Sequence, residues 1–178
     1  MEHNDHVNLL RPAEIQPGGT WADFGAGSGA FTFALRELSG QTASIYAVDK
    51  DRASLNELQK THHARFRDSQ NLYLIPEDFS RTLDLPVLSG IVMANSLHFF
   101  KDKEKILRHI RSYLKPNGML LIVEYNVDFG NPWVPYPFSF KTYCKFAPRA
   151  NFSEPRLLAK APSRFLHEFY SALCYRNS

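Results

Sequence analysis

Eight consecutive residues, Asp23-Phe24-Gly25-Ala26-Gly27-Ser28-Gly29-Ala30, constrain this chain more than any other feature. Its three glycines let the backbone turn sharply and let a ligand approach where a Cβ would obstruct it. Thr20–Phe24 before the loop reads as a short strand, and Phe31–Leu38 after it reads as a helix. A helix opening directly out of such a loop offers free N–H groups and a partial positive charge to whatever the loop holds. A strand, a glycine loop and a helix in that order place the chain among α/β folds with a ligand at the loop.

The rest of the chain continues the alternation. Ala43–Val48 reads as a second strand ending at Asp49, and Asp51 caps a helix that runs through Leu55 and Leu58 towards Phe66. Asn71–Ile75 and Gly90–Ala94 read as the third and fourth strands. Ile106, Leu107, Ile110, Tyr113 and Leu114 share one face of a helix spanning 102–115, which Pro116-Asn117-Gly118 ends. Met119–Val123 is a continuous apolar run, typical of a strand covered on both faces. Alternating β and α implies a parallel sheet with helices on both sides and right-handed crossovers. Beyond it, Phe138–Ala147 reads as one helix, then Arg156–Ala161 and Phe165–Tyr175 as strands around a Pro162-Ser163 turn. At 178 residues with 44% hydrophobic content, one domain spanning 1–178 is expected. It would have an N-terminal extension (1–17) and an aromatic, proline-rich loop (127–137) over the site.

Several classes drop out. No apolar run approaches the roughly 20 residues that cross a bilayer, and Met1–His6 lacks the order of a secretory signal. Cys144 and Cys174 are too few for a disulfide framework or a zinc site, so the cytoplasm is the expected compartment, with no metal and no membrane partner. Net charge is only +3, though 101–115 and 141–176 each carry a basic surplus. That surplus fits either solvated faces or a rim attracting an anionic substrate such as RNA.

Gly25-x-Gly27-x-x-Ala30 also satisfies the relaxed dinucleotide fingerprint. Asp23 argues against that reading, because a carboxylate so close to the first glycine would repel a pyrophosphate. It suits instead a ligand bearing an ammonium group, such as the amino-acid end of S-adenosylmethionine. Asp49 ends the second strand, where a carboxylate accepts from both ribose hydroxyls of either cofactor. Glu77-Asp78-Phe79 follows the third strand, with a carboxylate for the adenine amino group and an aromatic ring for its face.

The glycine loop, Tyr46-Ala47-Val48-Asp49, Glu77-Asp78-Phe79, Ala94-Asn95-Ser96-Leu97-His98-Phe99 and Leu114-Lys115-Pro116-Asn117-Gly118 occur in that order. The set resembles the class I S-adenosylmethionine-dependent methyltransferases from about Pro17 to the end. The resemblance implies a doubly wound, seven-stranded, mostly parallel sheet with an antiparallel C-terminal hairpin strand and helices on both faces. It also implies S-adenosyl-L-methionine as cofactor and S-adenosyl-L-homocysteine as product. Asp23, Gly25, Ala26, Gly27 and Gly29 would line the methionine end. Asp49 and Lys50 would lie at the ribose, Asp78 and Phe79 at the adenine, and Asn95 and Ser96 on the far side of the methionine moiety. Ser89-Gly90 stands where many relatives carry an acidic residue, and Asn131-Pro132-Trp133 follows the wrong strand for an amino-methylating motif.

His98 lies just past the fourth strand, at the edge where open α/β sheets bind ligands, and imidazole titrates near neutrality as a general base requires. Its other reading is a plug, Leu97-His98-Phe99-Phe100, on the site floor. Glu124 and Tyr125, with Asn126, end the fifth strand as substrate anchors, Glu124 alternatively as a capped structural carboxylate. Trp133, Tyr136 and Tyr143 would form an aromatic wall over the acceptor, or pack the loop against the sheet. His62 and His63 are expected to face solvent, and His3 and His6 to sit in a frayed terminus, the alternative being that they fold back over the site. About nineteen residues before the first strand are too few for a helical lid, which implies an open site, a large substrate, or a lid supplied by the 128–137 loop or by a second subunit of a homodimer. A small-molecule acceptor is expected. RNA or protein, a nicotinamide-dependent oxidoreductase, and a cofactor-binding protein without catalysis are the alternatives.

Overall fold

The computed structural model describes residues 1–66 and 71–178. Its strands are β1 (Thr20–Phe24), β2 (Ser44–Val48), β3 (Leu72–Ile75), β4 (Leu88–Ala94), β5 (Leu114–Tyr125), β6 (Arg156–Ser163) and β7 (His167–Tyr175). They form one sheet in the order β3-β2-β1-β4-β5-β7-β6. The first five run parallel, and β7 is antiparallel to both β5 and β6. The expected seven-stranded sheet with its terminal hairpin is therefore present.

Period-two alternation assigns each strand side chain to a face. Ile91 and Met93 of β4, with Leu120 and Ile122 of β5, enter one core together with α4 (Lys103–Arg111) and α5 (Phe140–Phe146). Val92, Ala94, Leu121 and Val123 enter the opposite core, against α1 (His3–Leu10) and α2 (Ala30–Ser39). Leu55 and Leu58 of α3 (Arg52–Arg65) complete a third cluster with Phe33 and Ala47. Among the described residues no helix is long and apolar enough to cross a membrane.

Several boundaries differ from the sequence reading. Helix α4 stops at Arg111, and Pro116-Asn117-Gly118 lies instead inside β5. There Leu88 pairs with Leu114 and Gly90 with Met119, so those residues bulge out of the ladder. Pro162 and Ser163 are paired with Glu168 and His167, and the turn is 164–166. Proline is tolerated because β6 is an edge strand. The Ser163 hydroxyl accepts from the amides of Phe165 and Leu166, which moves the turn beyond it.

The N-terminal residues are not frayed. Glu2 and Asp5 form a capping box, and Val7, Leu9 and Leu10 are buried against α2 and β6. His3 meets Glu37 at 2.8 Å, and the His6 ring lies 4.8 Å from that of Phe31. A helix does form before β1, contrary to the expectation from length, because one apolar stripe of two turns suffices when a core receives it. His62 is also corrected: it is buried and stacks on Phe33, whereas His63 is exposed.

Candidate active site

Strand β1 neighbours both β2 and β4, so the chain leaves their carboxyl ends in opposite directions and opens a crevice there. Two cavities meet in it at Gly25 and Asn95. The larger, 520 Å³, is walled by Asp49, Lys50, Glu77, Asp78, Phe79, Ser96, Phe99 and Phe100. The smaller, 240 Å³, is walled by Asp23, Ala26, Gly27, Ser28, Phe31, and Met1 and His6 of the N-terminal segment.

All three glycines of the loop have positive φ. Gly25 has φ +84°, and a Cβ there would come within 2.5 Å of Ser96 Cβ. Its amide and that of Ala26 both donate to the Val48 carbonyl, folding the loop over β2. Gly27 has φ +50°, and nothing lies within 4 Å of where its Cβ would stand, so the backbone faces open space. Gly29 caps α2 in a left-handed conformation, φ +97°.

The Gly27 amide donates to Asp49 Oδ2 at 2.8 Å, and the Asp51 amide to Asp49 Oδ1 at 2.9 Å. Two donors fix the carboxylate's orientation while each oxygen keeps a lone pair for a vicinal diol. Asp78 Oδ1 accepts from the Ser80 amide. Burial pushes the Asp78 pKa up, but Ser80 hydrogen bonds and the charges of Lys50 and Arg81 outweigh it and hold it below the usual value. Phe79 stacks on Phe24 with ring centroids 5.5 Å apart and meets Phe100 edge-on, giving the larger cavity an aromatic floor.

In the smaller cavity, Asp23 is 1% exposed. Its Oδ2 accepts from the Thr32 hydroxyl at 2.6 Å, and its Oδ1 has no partner. Burial drives its pKa up to about 7, opposed by the Thr32 hydrogen bond and aided by the charge of Asp49. Asn95, at φ +53°, also keeps a buried, unpartnered Oδ1. Two orphaned acceptors lining one cavity suit a cationic donor, since an unpaired buried acceptor is costly.

At the ends of β4 and β5, Glu124 is fully buried. Its Oε1 accepts from the amides of Leu97 and His98 at 3.0 and 3.1 Å, and its Oε2 meets His98 Nδ1 at 2.7 Å. A carboxylate already accepting two N–H bonds assigns the proton to Nδ1, so Nε2 carries the lone pair. Nε2 has no hydrogen-bond partner among the described residues. The ring sits between Phe99, 4.4 Å away, and Tyr125, 6.0 Å away.

A family model described as a methyltransferase domain matches residues 22–120, more than half of the chain. The chain belongs to the methyltransferase-domain family. Its seven-stranded sheet is that of the class I fold, and its cofactor is S-adenosylmethionine. Among curated proteins, a hybrid PKS-NRPS synthetase lepA from Aspergillus flavus is 27% identical over 128 residues, 70% of this chain. The match covers 3% of that protein's length. Among solved structures, phosphoethanolamine N-methyltransferase 2 of Haemonchus contortus, in complex with S-adenosylhomocysteine, has TM-score 0.79 at 14% identity. That match covers 98% of this chain and 53% of the other. Magnesium protoporphyrin IX methyltransferase of Synechocystis, with bound S-adenosylmethionine, has TM-score 0.73 at 15% identity, covering 98% and 78%.

This methyltransferase chain fits its cofactor on its own geometry. Asp23 and Asn95 keep buried, unpartnered oxygens that an ammonium group could satisfy, the Asp49 carboxylate is held by two amides, and Asp78 and Phe79 line the larger cavity. Ser96 is placed beside them, but its hydroxyl donates to the Phe24 carbonyl, so it clamps β1 to β4.

The acceptor side departs from the sequence reading. Tyr143 is fully buried, and its hydroxyl lies 3.0 Å from Cys174 Sγ, so it belongs to the core under α5 and not to a wall over the site. Glu124 cannot anchor substrate, since it is buried and its hydrogen bonds are spent on Leu97 and His98. Trp133 and Tyr136 are exposed, at 72% and 43%. Trp133 meets Phe165 edge-on at 6.3 Å, and Phe165 lies 6.0 Å from Tyr125. Sequence reasoning missed Phe165, which it placed at the start of the last strand, whereas the structure puts it in the turn before β7. The 127–137 loop is stapled down: the Tyr136 amide donates to the His98 carbonyl, and Lys103 donates to Phe100 while lying over the rings of Tyr136 and Phe138.

Proposed function

We propose that this chain methylates a small, largely apolar acceptor whose reacting atom gives up its proton to His98 Nε2. The observation that carries the reading is the buried His98–Glu124 pair. A carboxylate locked by two backbone amides holds the imidazole in one tautomer, with its basic nitrogen unpartnered among the described residues and its ring against Phe99, which lines the larger cavity. S-adenosylmethionine supplies a sulfonium methyl already activated for displacement, so positioning and proton removal are the tasks left to the protein. Glu124 orients His98 and stabilises the imidazolium that proton removal creates. Phe99, Phe100, Tyr125, Trp133 and Phe165 favour an apolar acceptor and exclude water from the cationic centre.

The neighbour named for phosphoethanolamine methylation supports a small acceptor, and the 27%-identical synthetase directs the acceptor panel towards polyketide and peptide intermediates. The test is labelled-methyl transfer to phenols, acyl thioesters and RNA by wild type and His98→Gln. Turnover should fall about 10²–10⁴-fold in the variant, while S-adenosylhomocysteine affinity in calorimetry stays within about twofold. Unchanged turnover would remove His98 as the base. Acceptor binding that collapses as salt rises would move the reading to RNA.

A further inference from the structure

The smaller cavity contains both halves of a recognition problem, and only one half is answered by Asp23 and Asn95. An amino-acid end carries an ammonium group and a carboxylate. The orphaned oxygens of Asp23 and Asn95 suit the first and repel the second. The cavity therefore needs donors that are not already committed, and Met1, Ser28 and His6 line it. The Gly27 amide is occupied by Asp49.

His6 meets the need. It lines this cavity from α1, and its ring lies against Phe31 of α2 with the planes 57° apart. Neither ring nitrogen has a hydrogen-bond partner among the described residues. The ring is held in place from outside, because Val7, Leu9 and Leu10 anchor α1 in the core beneath it. His3, one turn earlier on the same helix, is by contrast spent on Glu37.

Resting on the cofactor assignment above, we infer that His6 is a cofactor-binding residue: its imidazole N–H donates to the carboxylate of the methionine moiety, and α1 closes that end of the site. The frame thus divides the two charges of one ligand group. Asn95 at the end of β4 and Asp23 of β1 take the ammonium, and His6 of α1 takes the carboxylate. Of the two sequence readings of His6, a frayed terminus or a residue folded back over the site, the second then holds.

The experiment compares two nucleosides by calorimetry. S-adenosylhomocysteine has the amino-acid end, and 5′-methylthioadenosine lacks it. His6→Phe keeps a ring against Phe31 and removes the N–H, while His6→Ala removes both. Both variants should weaken S-adenosylhomocysteine about tenfold, the scale of one charge-assisted hydrogen bond. Both should leave methylthioadenosine within about twofold of wild type. Equal weakening of both nucleosides by His6→Phe would overturn the inference, since the effect would then be closure of the helix and not contact with the carboxylate. Wild-type affinity for S-adenosylhomocysteine in His6→Phe would overturn it as well. Wild type binding neither nucleoside would instead bring down the cofactor assignment, and the inference with it.

Discussion

Replacing Asp23 by Asn tests the electrostatics of the site without cofactor. The Asp23 carboxyl has pKa about 7 in the fold against 3.8 for an unhindered aspartate. Well below its unfolded pKa of 3.8 it is neutral in both folded and unfolded chains and costs nothing. As pH rises towards 7 the unfolded chain ionises first, so stability is lost across that window and levels off above it. A shift of about 3 units at 1.36 kcal/mol each amounts to about 4 kcal/mol by pH 8, of which about 3 kcal/mol accrues between pH 5 and pH 8. Asn is isosteric, keeps an oxygen for the Thr32 hydroxyl, and does not ionise. Any penalty from its own N–H groups is independent of pH and cancels in the comparison. The ligand-free variant should therefore gain on wild type by about 3 kcal/mol between pH 5 and pH 8, or about 6–12 °C in Tm for a chain of this size. Paired thermal melts at the two pH values measure it. A Tm difference that is the same at both would refute the account of Asp23 as a buried, half-paired carboxylate. In wild type, S-adenosylhomocysteine should bind more tightly as pH passes 7, because the Asp23 proton must leave before an ammonium can pair with it. In Asp23→Asn the affinity should be weaker and flat.

Gly25→Ala places a Cβ within 2.5 Å of Ser96 at φ +84°, so it should cost about 1–3 kcal/mol of stability and loosen cofactor binding. An unchanged melt and unchanged calorimetry would count against the close packing of the loop on β4. Trp133→Ala should leave the melt within about 0.5 kcal/mol of wild type, because the ring is 72% exposed. It should raise KM for an apolar acceptor without altering S-adenosylhomocysteine affinity. A large loss of stability would place that ring in the packing and not at the acceptor.

The cofactor half of the site was legible in the sequence because its residues are local. Asp23 to Gly29 form one turn between one strand and one helix, and Asp49, Asp78 and Asn95 each follow a strand whose apolar run marks its end. Parallel pairing then brings those strand ends to one edge whatever the details of packing. The acceptor half was not legible in the same way. Glu124 and His98 are 26 residues apart in sequence, and only the adjacency of β4 and β5 turns a carboxylate of either reading into the partner of an imidazole. Tyr143 and Trp133 look alike as aromatics near a proline-rich loop, yet one is sealed beneath α5 and the other stands in solvent.

The sequence by itself determined the order of strands and helices, the conformation of the glycine loop and the chemical types at the cofactor edge, since periodicity and φ preferences act within a few residues. Tertiary structure decided which buried polar groups find partners and which are left for a ligand. It satisfied Glu124, orphaned Asp23 Oδ1 and Asn95 Oδ1, and brought His6 over the methionine end. The physical reason is that desolvation is set by what packs around a group, and that surrounding is assembled from elements far apart in the chain.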